Sequence, residues 1–460
     1  MIFLFIIVIL FYAFFTFPPT RAPSVLNLSG NSYYALLSEG FLFGQVSLPL
    51  LPSEQLLALP NPYDPIENNG LRLHDASLYH GKYYIYFGPL PALGFFIPFK
   101  LLTGYYPSES LSVVFFLSLG FIMSFVLLIR IKEKYFPEIS EAQTLFAGLL
   151  LAFATTAPFL LTYAAFYQAA IASAYCAMSF ALYFLYKIMT QSFSKIINVV
   201  LFSFFLALAV SGRPNFSLVC LVLITAVLIY MIKSIQRNKL CVSIIALLLP
   251  AVIIAFGLAL YNYLRFDSIF QFGEKYMLGG VEISKLPPLF SVNFTAIKNI
   301  LYLYFLQPFS FGAGYRHFPS LPHIHLPNTI LHPGIIYYEP VCGILITAPI
   351  ILFLIPLLMR RYYKKLMILP QSLSEFNDMV LLIPLVIIIF FMFCGSISAT
   401  QRYEMDFSPY LVFLSIIGYW LTQKMPLKSC VLTTVKTLYI ILGIISVLIG
   451  FDIGITGYGI

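Results

Sequence analysis

The chain has 460 residues, of which 60% are apolar and only 10% are charged, with a formal net charge of +8. So few charges cannot clothe a soluble globule of this size, and apolar runs of about 18 residues or more, enough to cross a bilayer as helix, recur along it. The positive balance fits a polytopic membrane protein with Lys and Arg in its cytoplasmic loops, so it calls for no nucleic-acid partner.

Met1 to Phe17 is almost purely apolar and is followed by Pro18-Pro19. It has neither a basic leader nor a small-residue cleavage site, and reads as a retained first helix. The hydropathy pattern predicts an all-α polytopic protein, one integral-membrane domain over 1–460. Eleven spanning helices are expected at 1–17, 109–131, 143–163, 168–187, 196–212, 215–233, 241–264, 338–360, 379–399, 405–423 and 437–456. Segments 89–103 and 296–311 are apolar but too short to span, and read as interfacial or re-entrant helices. A cytoplasmic N-terminus then puts 18–108, 265–337 and 400–404 outside. The inner loops hold 15 of the 26 basic residues but only 5 of the 18 acids, the bias expected of cytoplasmic loops. The six cysteines lie in or at the ends of apolar segments without a CxxC pair, which argues against a disulfide framework or a zinc site.

The first outer loop, 18–108, holds the candidate catalytic region. Ser29, Asn31 or Ser32 can cap a short helix running through Glu39, whose Tyr33, Leu36 and Leu37 share a face suited to the membrane surface. Asp64, in Pro62-Tyr63-Asp64-Pro65, has the surroundings of a turn residue. The most polar stretch, Leu73 to Pro91, contains His74, Asp75, His80, Lys82 and four tyrosines, among them Tyr83 and Tyr84. Asp75 reads in two ways: a general base for an incoming hydroxyl, or a turn or N-cap aspartate. Arg213, between two apolar runs, either grips a phosphate with its planar fork or snorkels to the interface.

The second outer loop, 265–337, starts beside Tyr261, Tyr263, Arg265 and Phe266, which compose either an aromatic belt or a sugar-stacking surface. It carries His317, His323, His325 and His332. His323 and His325 are weak metal candidates, since loop histidines are more often solvated. In the last outer hairpin, Arg402 either meets a phosphate at a helix start or pairs with Glu404 or Asp406.

These features together resemble the GT-C superfamily of membrane glycosyltransferases, and within it the bacterial branch related to protein O-mannosyltransferases and aminoarabinose transferases. The resemblance is carried by His74-Asp75-Ala76-Ser77-Leu78-Tyr79-His80-Gly81-Lys82-Tyr83-Tyr84, by Ser211-Gly212-Arg213-Pro214-Asn215, by Tyr263-Leu264-Arg265-Phe266, and by Arg402-Tyr403 with Asp406. It implies a polyprenyl-phosphate-linked sugar as donor, a glycan or lipid acceptor, and inverting transfer on the outer face of a bacterial plasma membrane. By the same likeness, Asp75 is the base and Arg402, Arg213 and Arg265 meet the donor phosphate. His74, Lys82, Tyr83, Tyr84, Tyr403, Glu39 and Asp64 then surround sugar and acceptor. A lipid phosphate leaves readily, so no cofactor is required and a divalent metal is dispensable.

One departure stands out. Relatives place an acidic pair soon after the first helix, ahead of Tyr-Tyr, where this chain has Asn31 and Ser32 before Tyr33-Tyr34. An amide is no base. Asp75 therefore acts alone, or Glu39 or Asp64 assists, or activity is lost and the protein is a scaffold for cell-envelope assembly. A transporter or flippase of lipid-linked glycans is a further alternative, but it needs polar residues along helix centres, and here those centres are overwhelmingly apolar.

Overall fold

The computed structural model describes residues 1–17, 25–27, 32–190, 195–286, 293–315, 318–325, 335, 337–339, 341–359, 369–394 and 398–457. Asn31, His317 and His332 lie outside the described residues, as do the side chains of His323 and His325.

Helices dominate. They are α1 (Ile2–Thr16), α2 (Tyr33–Leu42), α3 (Glu54–Leu57), α4 (Ile97–Thr103), α5 (Glu109–Tyr135), α6 (Glu141–Phe153), α7 (Ala157–Thr162), α8 (Phe166–Thr190), α9 (Ile196–Gly212), α10 (Phe216–Ser234), α11 (Arg237–Phe266), α12 (Phe294–Phe305), α13 (Ile344–Thr347), α14 (Leu354–Met359), α15 (Gln371–Cys394), α16 (Ser408–Thr422) and α17 (Ser429–Thr456). Serines open several of them: the Ser32, Ser53, Ser108 and Ser140 side chains each accept from a backbone N–H three residues on, satisfying a donor that a helix start leaves unpaired. The three candidate caps of α2 thus resolve to Ser32.

Among the described residues, α5, α8, α10, α11, α15 and α17 are long and apolar enough to cross a membrane. The other expected spans correspond to shorter apolar helices, and two of them are interrupted. The stretch 143–163 opens between α6 and α7, where Pro158 in the first turn of α7 has no N–H to continue the ladder. The stretch 338–360 becomes α13, a 3-10 turn over Pro349–Phe353, and α14, again with a proline at the break.

At the centre is α8, with 19 of its 25 residues buried. Its run Ala169-Ala170-Ile171-Ala172-Ser173-Ala174 lets α5 and α9 approach closely, the packing device of helices that gain nothing from excluding lipid. By contrast, α10 and α11 expose most of their apolar surface, as lipid-facing helices do.

Strands are few. β1 (Ser77–Tyr79) and β2 (Lys82–Tyr84) form an antiparallel hairpin turned by His80 and Gly81, both at positive φ, the conformation that two-residue hairpins require. β3 (Ser310–Tyr315) pairs antiparallel with β4 (Phe318–His325), and β5 (Tyr337–Tyr338) runs parallel to β6 (Ser398–Ala399). The first hairpin is anchored at its root. Asp75 N–H donates to Leu278 O at 3.0 Å, and Leu278 N–H returns to Ala76 O at 2.9 Å. Beyond β2, Gly88 lies so close to α9 that a Cβ there would come within 1.9 Å of Ser211 O. These contacts bring the first hairpin, Leu278 and the end of α9 together.

Candidate active site

Asp75 is not a helix cap. It sits at φ +58° in the turn leading into β1, a left-handed conformation that Asp and Asn tolerate better than most residues. This turn aims the carboxylate at α8, where the Tyr167 hydroxyl donates to Oδ2. His74 Nε2 lies 3.6 Å from the same oxygen, with its own side chain 66% exposed. Burial raises the Asp75 pKa above the aspartate value; the charges of His74, Arg402 and Arg72 pull it down and that of Glu339 pushes it up. A carboxylate so placed takes up a proton more readily than one in water.

Tyr167 also faces Arg402, whose guanidinium lies 4.7 Å from its ring centroid. Arg402 pairs with neither Glu404 nor Asp406. Its Nη1 contacts both carboxylate oxygens of Glu339, at 3.2 and 3.1 Å. The Arg402 guanidinium also lies 5.8 Å from the Tyr403 ring centroid, and the Arg213 guanidinium lies 5.1 Å from the same centroid. Arg213 is buried and reaches Asp406 at 2.6 Å, and Asn215 donates to the same oxygen at 2.8 Å. The three residues singled out as Asp75, Arg213 and Arg402 thus fall in one continuous run of contacts: Asp75, Tyr167, Arg402, Tyr403, Arg213, Asp406.

The remaining candidates divide. Arg265 is buried and committed to protein groups: it donates to Ile85 O and to Asn262 Oδ1, and lies over the Tyr261 ring at 3.8 Å. It thereby ties the end of α11 to the residue after β2. Tyr83 and Tyr84 are buried on the hairpin, Tyr84 edge-on to Phe266, while Lys82 and His74 face outward. Asp64 accepts from the N–H groups of Ile66 and Glu67, as a turn residue does. Glu39 is half-buried on α2.

Sequence reasoning missed Tyr167 and Glu339. Each left a trace. Tyr167 follows the non-helical step between α7 and α8, and Glu339 is a lone acid at the head of an apolar segment, where an ionisable group is unusual.

No protein-family model matches the sequence, and no curated protein does. Solved structures match over almost the whole chain. The archaeal oligosaccharyltransferase AglB from Archaeoglobus fulgidus, in complex with an inhibitory peptide and a dolichol-phosphate, aligns with a TM-score of 0.52 and 12% identity. That alignment covers 99% of this chain and 56% of AglB. ArnT from Cupriavidus metallidurans aligns at TM-score 0.44 and 12% identity, covering 99% of this chain and 76% of ArnT, both bound to undecaprenyl phosphate and in the apo state. At such identity the likeness to AglB is one of fold alone, a polytopic helical membrane architecture.

Proposed function

We propose that the protein is a membrane glycosyltransferase that takes a sugar from a polyprenyl-phosphate carrier on the extracytoplasmic face. The observation that carries this reading is the convergence of a base and two guanidiniums, Asp75, Arg402 and Arg213, through Tyr167 and Tyr403. The fold shared with AglB, solved with a dolichol-phosphate, supports it. In this reaction Asp75 removes the proton of the acceptor hydroxyl, whose oxygen attacks the anomeric carbon from the face opposite the carrier. The carbon–oxygen bond to the phosphate breaks, and the configuration inverts. Arg402 meets the charge that grows on the leaving phosphate, where donors set in advance count most. Glu339 holds that guanidinium in place, and the five donors of an arginine can serve a carboxylate and a phosphate together.

The test is transfer from a synthetic polyprenyl-phosphate sugar by the purified protein in lipid vesicles. Arg402→Ala is expected to lower turnover by about 10²–10³-fold. Arg402→Lys, which keeps the charge but not the planar fork, is expected to fall in between. Wild-type rates in both variants would make Arg402 a structural residue only.

The proposed orientation has the N-terminus inside. A membrane-impermeant maleimide applied to intact cells is expected to label Pro60→Cys and Ser320→Cys. The exposed native Cys241 and Cys430, at the inner ends of α11 and α17, are expected to react only after lysis. Protection at both engineered positions would reverse the orientation.

A further inference from the structure

Apart from the Asp75 site, a narrow cavity lies where the opening between α6 and α7 meets α13, the turn before α16, and Gly450 and Ile453 of α17. It has room for one guest the size of a water molecule. Thr155, Thr156, Thr347, Gln401, Glu404 and Ser408 supply its polar lining. Glu404 is 1% exposed. Its Oε2 accepts from Gln401 Nε2 at 2.7 Å and from Thr156 Oγ1 at 3.4 Å. Its Oε1 is fully buried and has no hydrogen-bond partner among the described residues. The basic side chains nearby are engaged elsewhere, Arg213 with Asp406 and Arg402 with Glu339. A buried carboxylate oxygen without a partner is costly, and burial raises the Glu404 pKa well above the ordinary glutamate value, so either a proton or a cation must balance it. Membrane proteins place ions where helices are interrupted.

We propose that this cavity binds one monovalent cation on Glu404 Oε1, with the hydroxyls of Thr156, Thr347 and Ser408 completing an oxygen shell. One carboxylate balances one positive charge, whereas divalent ions gather six or more oxygens, commonly from several carboxylates. The cation links the α6–α7 opening to the turn that carries Arg402 and Asp406, so its occupancy stiffens that turn without touching the transferred sugar.

The experiment is thermal unfolding of the purified full chain in nanodiscs at constant ionic strength, with sodium, potassium or N-methyl-D-glucamine as the chloride salt. The organic cation is too large for the cavity. Sodium or potassium is expected to raise the unfolding midpoint saturably, by about 3 °C or more over N-methyl-D-glucamine. Glu404→Gln keeps the shape and is expected to abolish the difference. Thr347→Val, matched in shape and lacking the hydroxyl, is expected to raise the half-saturating concentration about tenfold, and serves if Glu404→Gln does not fold. Identical midpoints of the wild type in all three salts would mean that a proton or a water occupies the cavity, and would overturn the proposal. So would a cation response that survives in a folded Glu404→Gln protein, or an unchanged half-saturation in Thr347→Val.

Discussion

Asp75→Asn is expected to lower sugar transfer by about 10²–10⁴-fold, the usual contribution of a positioned general base, while expression and thermal stability stay close to wild type. The structure explains why the fold survives. Asn accepts the left-handed backbone at φ +58° as readily as Asp, and its Oδ1 can still receive the Tyr167 hydroxyl. Only the ability to take a proton is lost. The pH profile gives a second check. Burial raises the Asp75 pKa, and the base must be ionised to act. Wild-type activity is therefore expected to fall as the pH drops through a value above the ordinary aspartate range, and the residual activity of the variant is expected to lack that limb. Full transfer by Asp75→Asn would remove the carboxylate from its role. Parallel loss in Asp64→Asn or Glu39→Gln would then say where the base lies.

Arg213→Ala is expected to act on stability. It leaves Asp406, 2% exposed, with Asn215 as its remaining hydrogen-bond partner among the described residues. Removing one member of a buried ion pair costs roughly 3–5 kcal/mol, because the other stays charged without compensation. Restoring neutrality with Asp406→Asn in the Arg213→Ala background is expected to recover part of the loss, since an amide tolerates burial better than a lone carboxylate. Unfolding midpoints of the two variants and the wild type decide the matter. An Arg213→Ala protein as stable as wild type would show that the pair contributes nothing to the fold.

Much of the helical framework was legible because long apolar runs have few other uses. The interruption at Ala154–Thr156 was not, since Ala, Thr and Pro barely lower the local hydropathy and a break there depends on which carbonyls lose their donors. The site was half legible. Asp75, Arg213 and Arg402 stood out as charges in apolar or aromatic surroundings, but their partners came from elsewhere in the chain. Arg402 read as either a phosphate contact or a partner of Glu404 or Asp406, which lie close to it in sequence. In three dimensions Glu339 takes that place, and Glu404 turns into a cavity. Tyr167 has no charge to mark it, and its importance rests on standing between two residues 92 or more positions away.

The Arg213–Asp406 pair also sets a timetable for the nascent chain. The two residues are 193 positions apart, so at roughly 5–20 residues per second Asp406 leaves the ribosome about 10–40 s after Arg213. For that interval α9 is inserted with an arginine at its end and no counter-ion, which the long side chain can bear only by keeping its head at the lipid headgroups. Once Asp406 has emerged, the two side chains can form the 2.6 Å pair seen in the structure. On the proposed reading, in which Arg402 meets a donor phosphate, that contact is among the last the growing polypeptide can form.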